Sequence, residues 1–98
     1  MLRHVAVFRW KRGTTDEQVY AIGQGLAALP ARLPQLRAYT YGRDAGLREG
    51  NADFAVVADF DDEDGWRAYT EDAEHRRVIE QLIAPVADVR SAVQLRHP

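Results

Sequence analysis

LRHVAVFRWKRGTTDEQV, residues 2–19, is the stretch whose reading decides the fold. Its first half alternates: Leu2, His4, Ala6, Phe8 and Trp10 point one way, and Arg3, Val5, Val7 and Arg9 the other. A period of two is the mark of a strand. Lys11-Arg12-Gly13 ends it, and Thr14 or Thr15 then caps a helix, with Glu17 or Gln18 as the capping-box partner. Asp16 and Glu17 suit the positive end of the helix dipole. Val19, Ile22, Leu26 and Leu29 continue at helical spacing. Gly23 and Gly25 inside that helix admit two readings, close packing of helix on sheet or a cavity left by the missing side chains.

Working outward, residues 36–41 read as a second strand with Arg37, Tyr39 and Tyr41 on one face, and residues 42–51 as a polar loop. Residues 52–60 form a third strand whose centre is apolar on both faces, so neither face suits open water. The acidic run 61–64 caps a second helix carrying Trp66 and Tyr69. The pattern falters at Asp72-Ala73, resumes through Val78, Ile79, Leu82 and Ile83, and stops near Pro85. Residues 86–95 close the chain as a fourth strand, with Val89, Ser91, Val93 and Leu95 on one face and Ala92 on the other. The order β-α-β-β-α-β with right-handed crossovers predicts an α+β, ferredoxin-like fold: a four-stranded antiparallel sheet with its helices on one face. The uncovered face carries Val5, Val7 and apolar residues of the third strand, which predicts a homodimer.

The 98 residues suit a single domain, 1–98, and 46% hydrophobic content suits a folded globule. A net charge of −2 argues against a nucleic-acid partner, although Arg37, Tyr39, Tyr41 and Arg43 mix cations with aromatics. No stretch reads as a signal peptide or membrane span, and a cytoplasmic location is the expectation. The absence of cysteine excludes disulfides and thiolate chemistry. There is no phosphate-binding glycine loop and no nucleophilic serine motif.

Chemistry therefore falls to the histidines. His75 is either a surface residue in a charged turn or a general base. Tyr69 is its candidate partner, yet six residues turn an unbroken helix through about 600°, so the two converge only if the helix breaks near Asp72-Ala73. Asp72 would then cap the new helix. The dipole there favours neutral imidazole, whereas Glu71, Asp72 and Glu74 favour imidazolium, which leaves the net sign open. His4 is either a satisfied core histidine or a pocket-lining hydrogen bonder, and His97 lies in the tail. Asp59, Asp61, Asp62, Glu63 and Asp64 read as a solvated turn and cap, with a weak hard-cation site as the alternative. No metal and no cofactor are expected.

The quoted stretch and a second one, FAVVADFDDEDGWRAYTEDAEHRRVIEQLIAPV (54–86), together resemble the stress-responsive alpha/beta barrel domain family over nearly the whole chain. The resemblance implies dimerisation through back-to-back sheets into a dimeric α/β barrel. It also implies three site residues by likeness to the family's polyketide cyclase, which closes a ring by aldol condensation without a cofactor: Tyr69, His75 and His4. Pocket positions fall on Ala6, Phe8, Ile22, Gly23, Leu26, Ala27 and Trp66. The chain departs from the family's "hpaH" segment, reading Asp72-Ala73-Glu74-His75 without the first histidine and the proline. The leading expectation is a small dimer that binds a small apolar carbonyl compound, as a cofactor-free aldol-type cyclase or isomerase with His75 as base. The alternatives are a non-catalytic stress-responsive protein and a cofactor-free monooxygenase.

Overall fold

The computed structural model describes residues 1–98. Strand β1 (Leu2–Trp10) buries Leu2, His4, Ala6 and Phe8 and leaves the intervening residues on the other side. Thr15 caps α1 (Asp16–Ala27): its hydroxyl accepts from the Gln18 N–H while the Gln18 side chain accepts from the Thr15 N–H, a reciprocal box. Val19, Ile22 and Leu26 turn inward from α1, and Leu29 is buried in the turn that follows. Strand β2 (Ala38–Arg43) begins two residues later than the sequence pattern predicts. Its antiparallel pairing with β3 (Phe54–Phe60) runs on to Arg43 opposite Phe54, while Leu36 bends back onto the core through a Leu36 N–H to Leu33 carbonyl bond.

Asp62 caps α2 (Glu63–Glu71), its carboxylate accepting from the Gly65 N–H at 3.0 Å. A short helix α3 (Ala73–Arg77) follows, and then a π-helical segment, Val78–Ile83, wound wide enough for the Ala84 N–H to reach the Ile79 carbonyl at 2.7 Å. Strand β4 (Ala87–Arg96) completes an antiparallel sheet in the order β2-β3-β1-β4, with all the helices on one face. This is the ferredoxin-like arrangement. No helix is long and apolar enough to cross a membrane.

Gly25 lies where α1 crosses the π-helical segment; a Cβ there would sit 2.9 Å from Val78 Cγ2. The close packing expected of this glycine is thus against a helix and not against the sheet. At Gly23 a Cβ would meet nothing within 4 Å. On the uncovered face of the sheet, Val57, Val5 and Val93 stand side by side across three strands. Val89, Val93 and Leu95 remain 50%, 53% and 42% exposed. An apolar stripe in register on an open face is surface that water covers at a cost.

Candidate functional site

The site begins with a break in a helix. Asp72 has φ −61° and ψ 130°, an extended residue between α2 and α3. Its carboxylate accepts from the His75 N–H at 3.0 Å and pairs with the Arg32 guanidinium at 3.0 Å, so the residue that stops one helix starts the next. The break resets the helical phase. Tyr69 on α2 and His75 on α3 both turn inward, 2% and 7% exposed, and their rings meet with centroids 3.9 Å apart at 33°. An unbroken helix would have put them on different faces.

Two strands supply the remaining polar groups. The Tyr69 hydroxyl lies 3.1 Å from that of Tyr39 on β2. His4 on β1 has its ring centroid 6.0 Å from that of Tyr69. Gln94, opposite His4 in the β1–β4 register, donates its amide N–H to His4 Nδ1 at 2.8 Å. That bond leaves the proton of neutral His4 on Nε2.

His4, Tyr69, His75 and Gln94 border a cavity of about 700 Å³ between the helices and the sheet, open toward β4, whereas Tyr39 touches Tyr69 without lining the cavity. Ala6, Phe8, Leu26 and Trp66 line it along with His4, Tyr69 and His75. Ile22, Gly23 and Ala27 do not. Ile22 is fully buried in the packed core, Ala27 is exposed on the outer side of α1, and Gly23 faces open space. Only Leu26 on α1 reaches the cavity, because this helix lies mainly over the other half of the sheet. Tyr39, Gln94 and Arg90 carry no motif that singles them out. Their relevance comes from strand register and packing, which local sequence does not encode.

Burial sets the protonation states. The imidazole of His75 is pushed down to about 4 by desolvation and by neighbouring His4, against the opposing pull of Asp72 and the Tyr69 carbonyl. Its Nδ1 is buried with no hydrogen-bond partner. The His4 pKa is lowered by burial and then by the charge of Arg90. Burial raises Tyr69, against the hydrogen bond from Tyr39 and the charge of Arg90, and burial also raises Tyr39. Near neutral pH the site therefore holds two neutral imidazoles and two protonated phenols. A neutral imidazole accepts a proton, and a protonated phenol donates a hydrogen bond to developing negative charge on oxygen.

The acidic run has other work. Asp59 is clamped by Arg3 at 2.8 and 2.9 Å, Asp61 pairs with Arg37, Asp62 caps α2, Glu63 pairs with Arg96, and Asp64 pairs with Arg67. No group of three or more His, Cys, Asp or Glu side chains is arranged to hold a metal ion. Arg37 and Arg43 are likewise engaged, with Asp61 and Asp16.

The chain belongs to the stress-responsive A/B barrel domain family, whose model matches residues 2–95. It is similar to a dimeric ferredoxin-like protein of unknown function from Thermobifida fusca, at 47% identity and a TM-score of 0.91 over 98% of this chain and 90% of that one. A dimeric ferredoxin-like protein of unknown function from Bacteroides fragilis matches at 20% identity and a TM-score of 0.82, over 98% and 95% of the two chains. The hydroxynitrile lyase from Passiflora edulis matches at 15% identity and a TM-score of 0.82, over 96% and 90%. These last two likenesses show the fold alone. No curated protein matches the chain.

Proposed function

We propose that this protein works as a homodimer that binds a small, largely apolar carbonyl compound and moves a proton beside its carbonyl without a cofactor, as an aldol-type cyclase or isomerase does. The observation that carries the reading is the convergence of a neutral, buried His75 and a protonated Tyr69 on an apolar cavity wall. His75 takes a proton from the carbon next to the carbonyl. The Tyr69 hydroxyl, held by Tyr39, donates to the oxygen as it gains enolate character. His4, its tautomer fixed by Gln94, orients the substrate through Nε2–H. In a cyclisation the enolate carbon attacks a second carbonyl, and the imidazolium returns its proton to the alkoxide. In an isomerisation the proton returns to a different carbon. A low imidazole pKa keeps His75 unprotonated and free to accept a proton at neutral pH; it weakens the base in the abstraction step and strengthens the imidazolium as the acid that returns the proton. A hydroxynitrile lyase among the fold neighbours supports carbonyl chemistry on this scaffold, while fold alone does not assign it.

The homodimer reading draws on the apolar face of the sheet and on the dimeric relatives from Thermobifida fusca and Bacteroides fragilis. Pairing the two sheets back to back would cover Val5, Val57 and Val93 at once. Val93→Asp is expected to give monomers in sedimentation velocity, and unchanged dimers would rule out this face.

The catalytic reading is tested by following deuterium uptake beside the carbonyl of an aryl alkyl ketone by proton NMR. The wild type should accelerate uptake, and His75→Asn should lower the rate by about a hundredfold or more. An equal rate in the variant removes His75 as the base. No acceleration by the wild type across a panel of ketones favours a non-catalytic protein, and oxygen consumption with a quinol favours a monooxygenase.

A further inference from the structure

Most arginines of this chain are engaged: Arg3, Arg32, Arg37, Arg43, Arg67, Arg77 and Arg96 pair with carboxylates, and Arg9 donates to the Gly50 carbonyl. Arg90 has no such partner, and it lines the cavity. It sits on β4 opposite Phe8, on the inward side of the strand, whereas Gln94 on the same strand stands opposite His4. Four residues of strand separate these two register positions, about 13 Å before side-chain reach. The cavity, open along β4, thus has a neutral polar end, at His4, Tyr69 and His75, and a cationic end at Arg90.

We infer that Arg90 selects a substrate bearing a carboxylate: an apolar keto acid whose carboxylate is held by Arg90 at the mouth while its carbonyl lies inward against Tyr69 and His75. The inference rests on the carbonyl-binding reading of the cavity and names its substrate class. A guanidinium presents paired N–H groups in the plane that a carboxylate fits with two hydrogen bonds. Arg90 is the only cationic side chain among the cavity-lining residues and Asp88 the only anionic one, so a single guanidinium is available to pair with one carboxylate, and the repulsion from Asp88 weighs more heavily on a dianionic phosphate than on a monoanion. The charge of Arg90 reaches the inner end, where it adds to the lowering of His4 and His75 and works against the burial that raises Tyr69. The same cation therefore attracts the acid and favours the enolate that forms from it.

The test compares 4-oxo-4-phenylbutanoate with its methyl ester, which share the aryl ketone and differ in charge. Dissociation constants come from NMR titration of the imidazole signals in the intact homodimer. The wild type should bind the acid about tenfold or more tightly than the ester. Arg90→Gln should bring the ratio close to one, Arg90→Lys should keep part of it, and Asp88→Asn should increase it. Arg90 is exposed, so thermal unfolding of these variants should match the wild type. Equal binding of acid and ester by the wild type, or a ratio that survives Arg90→Gln, would overturn the inference. So would tighter binding of a matched aryl alkyl phosphate than of the acid. Failure here is separable from failure of the catalytic reading. Arg90-dependent binding of the acid without proton exchange would defeat only the catalysis, and exchange on acid and ester alike would defeat only the role of Arg90.

Discussion

Strands β3 and β4 flank the same strand, β1, and both pair with it antiparallel, yet they meet opposite surroundings. The inward residues of β3, Phe54, Val56, Ala58 and Phe60, are 4%, 3%, 0% and 0% exposed under the helices. Those of β4, Arg90, Ala92 and Gln94, are exposed and line the mouth of the cavity. One half of the sheet is packed solid and the other is left open, and the polar site lies at the seam. The difference arises in the covering layer. Helix α1 is regular and carries an apolar stripe, whereas the second crossover is broken at Asp72 and widened at Val78–Ile83. A broken element turns His75 inward but does not spread far enough to cover β4.

The largest test of this contrast is steric. Phe60→Ala, in the packed half, should cost about 3–5 kcal/mol in urea denaturation. Ala92→Leu, in the open half, should change stability by no more than about 0.5 kcal/mol, while ligand binding is lost as the new side chain fills the cavity. A large loss from Ala92→Leu would mean that the two halves are packed alike.

Next in size is the response to pH. The inward residues of β3 do not titrate, so the histidines at the seam should carry the dependence. The His75 pKa is depressed on folding, from about 6.5 in the unfolded chain to about 4. Its neutral form is therefore favoured by the fold, and the associated stability is fully present above about pH 6.5 and lost as pH falls through the window down to about 4. The loss should be about 3 kcal/mol at most, with His4 adding to it in the same direction. His75→Gln should flatten the profile in that window, and an unchanged profile would place the sensitivity elsewhere. Below it, the arginine-held carboxylates Asp59 and Asp72, whose pKa values are lowered by Arg3 and Arg32, begin to lose their partners' benefit.

A smaller effect should follow at the break. Asp72→Ala removes the cap of α3 and the partner of Arg32, and should cost about 1 kcal/mol. It should also shift the His75 ring signals, because the cap fixes the entry of that residue. Asp72→Asn keeps a capping oxygen and should restore most of both. The smallest test is in α1. Gly23→Ala should stabilise by up to about 1 kcal/mol, since nothing lies within 4 Å of the new methyl group. Gly25→Ala should give no such gain, because its Cβ would meet Val78 Cγ2 at 2.9 Å.

Much of the molecule is legible in its residues. The alternation of 2–10, a capping box at Thr14 or Thr15, an acidic cap within 61–64 and the faltering pattern at Asp72 each act over a few neighbouring residues, so their signals are local; the structure selects Thr15 and Asp62 as the caps. The two-residue displacement of β2 is not local, since its ends follow from pairing with β3. Ile22, Gly23 and Ala27 show the same limit. Helical spacing places them on α1, but which part of α1 overlies the cavity depends on how the helix sits on the sheet. The sign of the His75 shift follows the same rule: the nearby acids and the helix dipole are visible in the sequence, whereas the dominant influence is burial.

The sequence by itself determined the order of elements, the short stretches that hold their caps, the inward face of β1 and the place where the second crossover helix breaks. These follow from periodicity and from hydrogen bonds reaching three or four residues. Only the tertiary structure decided that Gln94 and Arg90 join His4, Tyr69 and His75 around one cavity and that Tyr39 bonds to Tyr69 beside it. Strand register and helix placement bring together residues up to ninety positions apart, such as His4 and Gln94, and that proximity has no local signature.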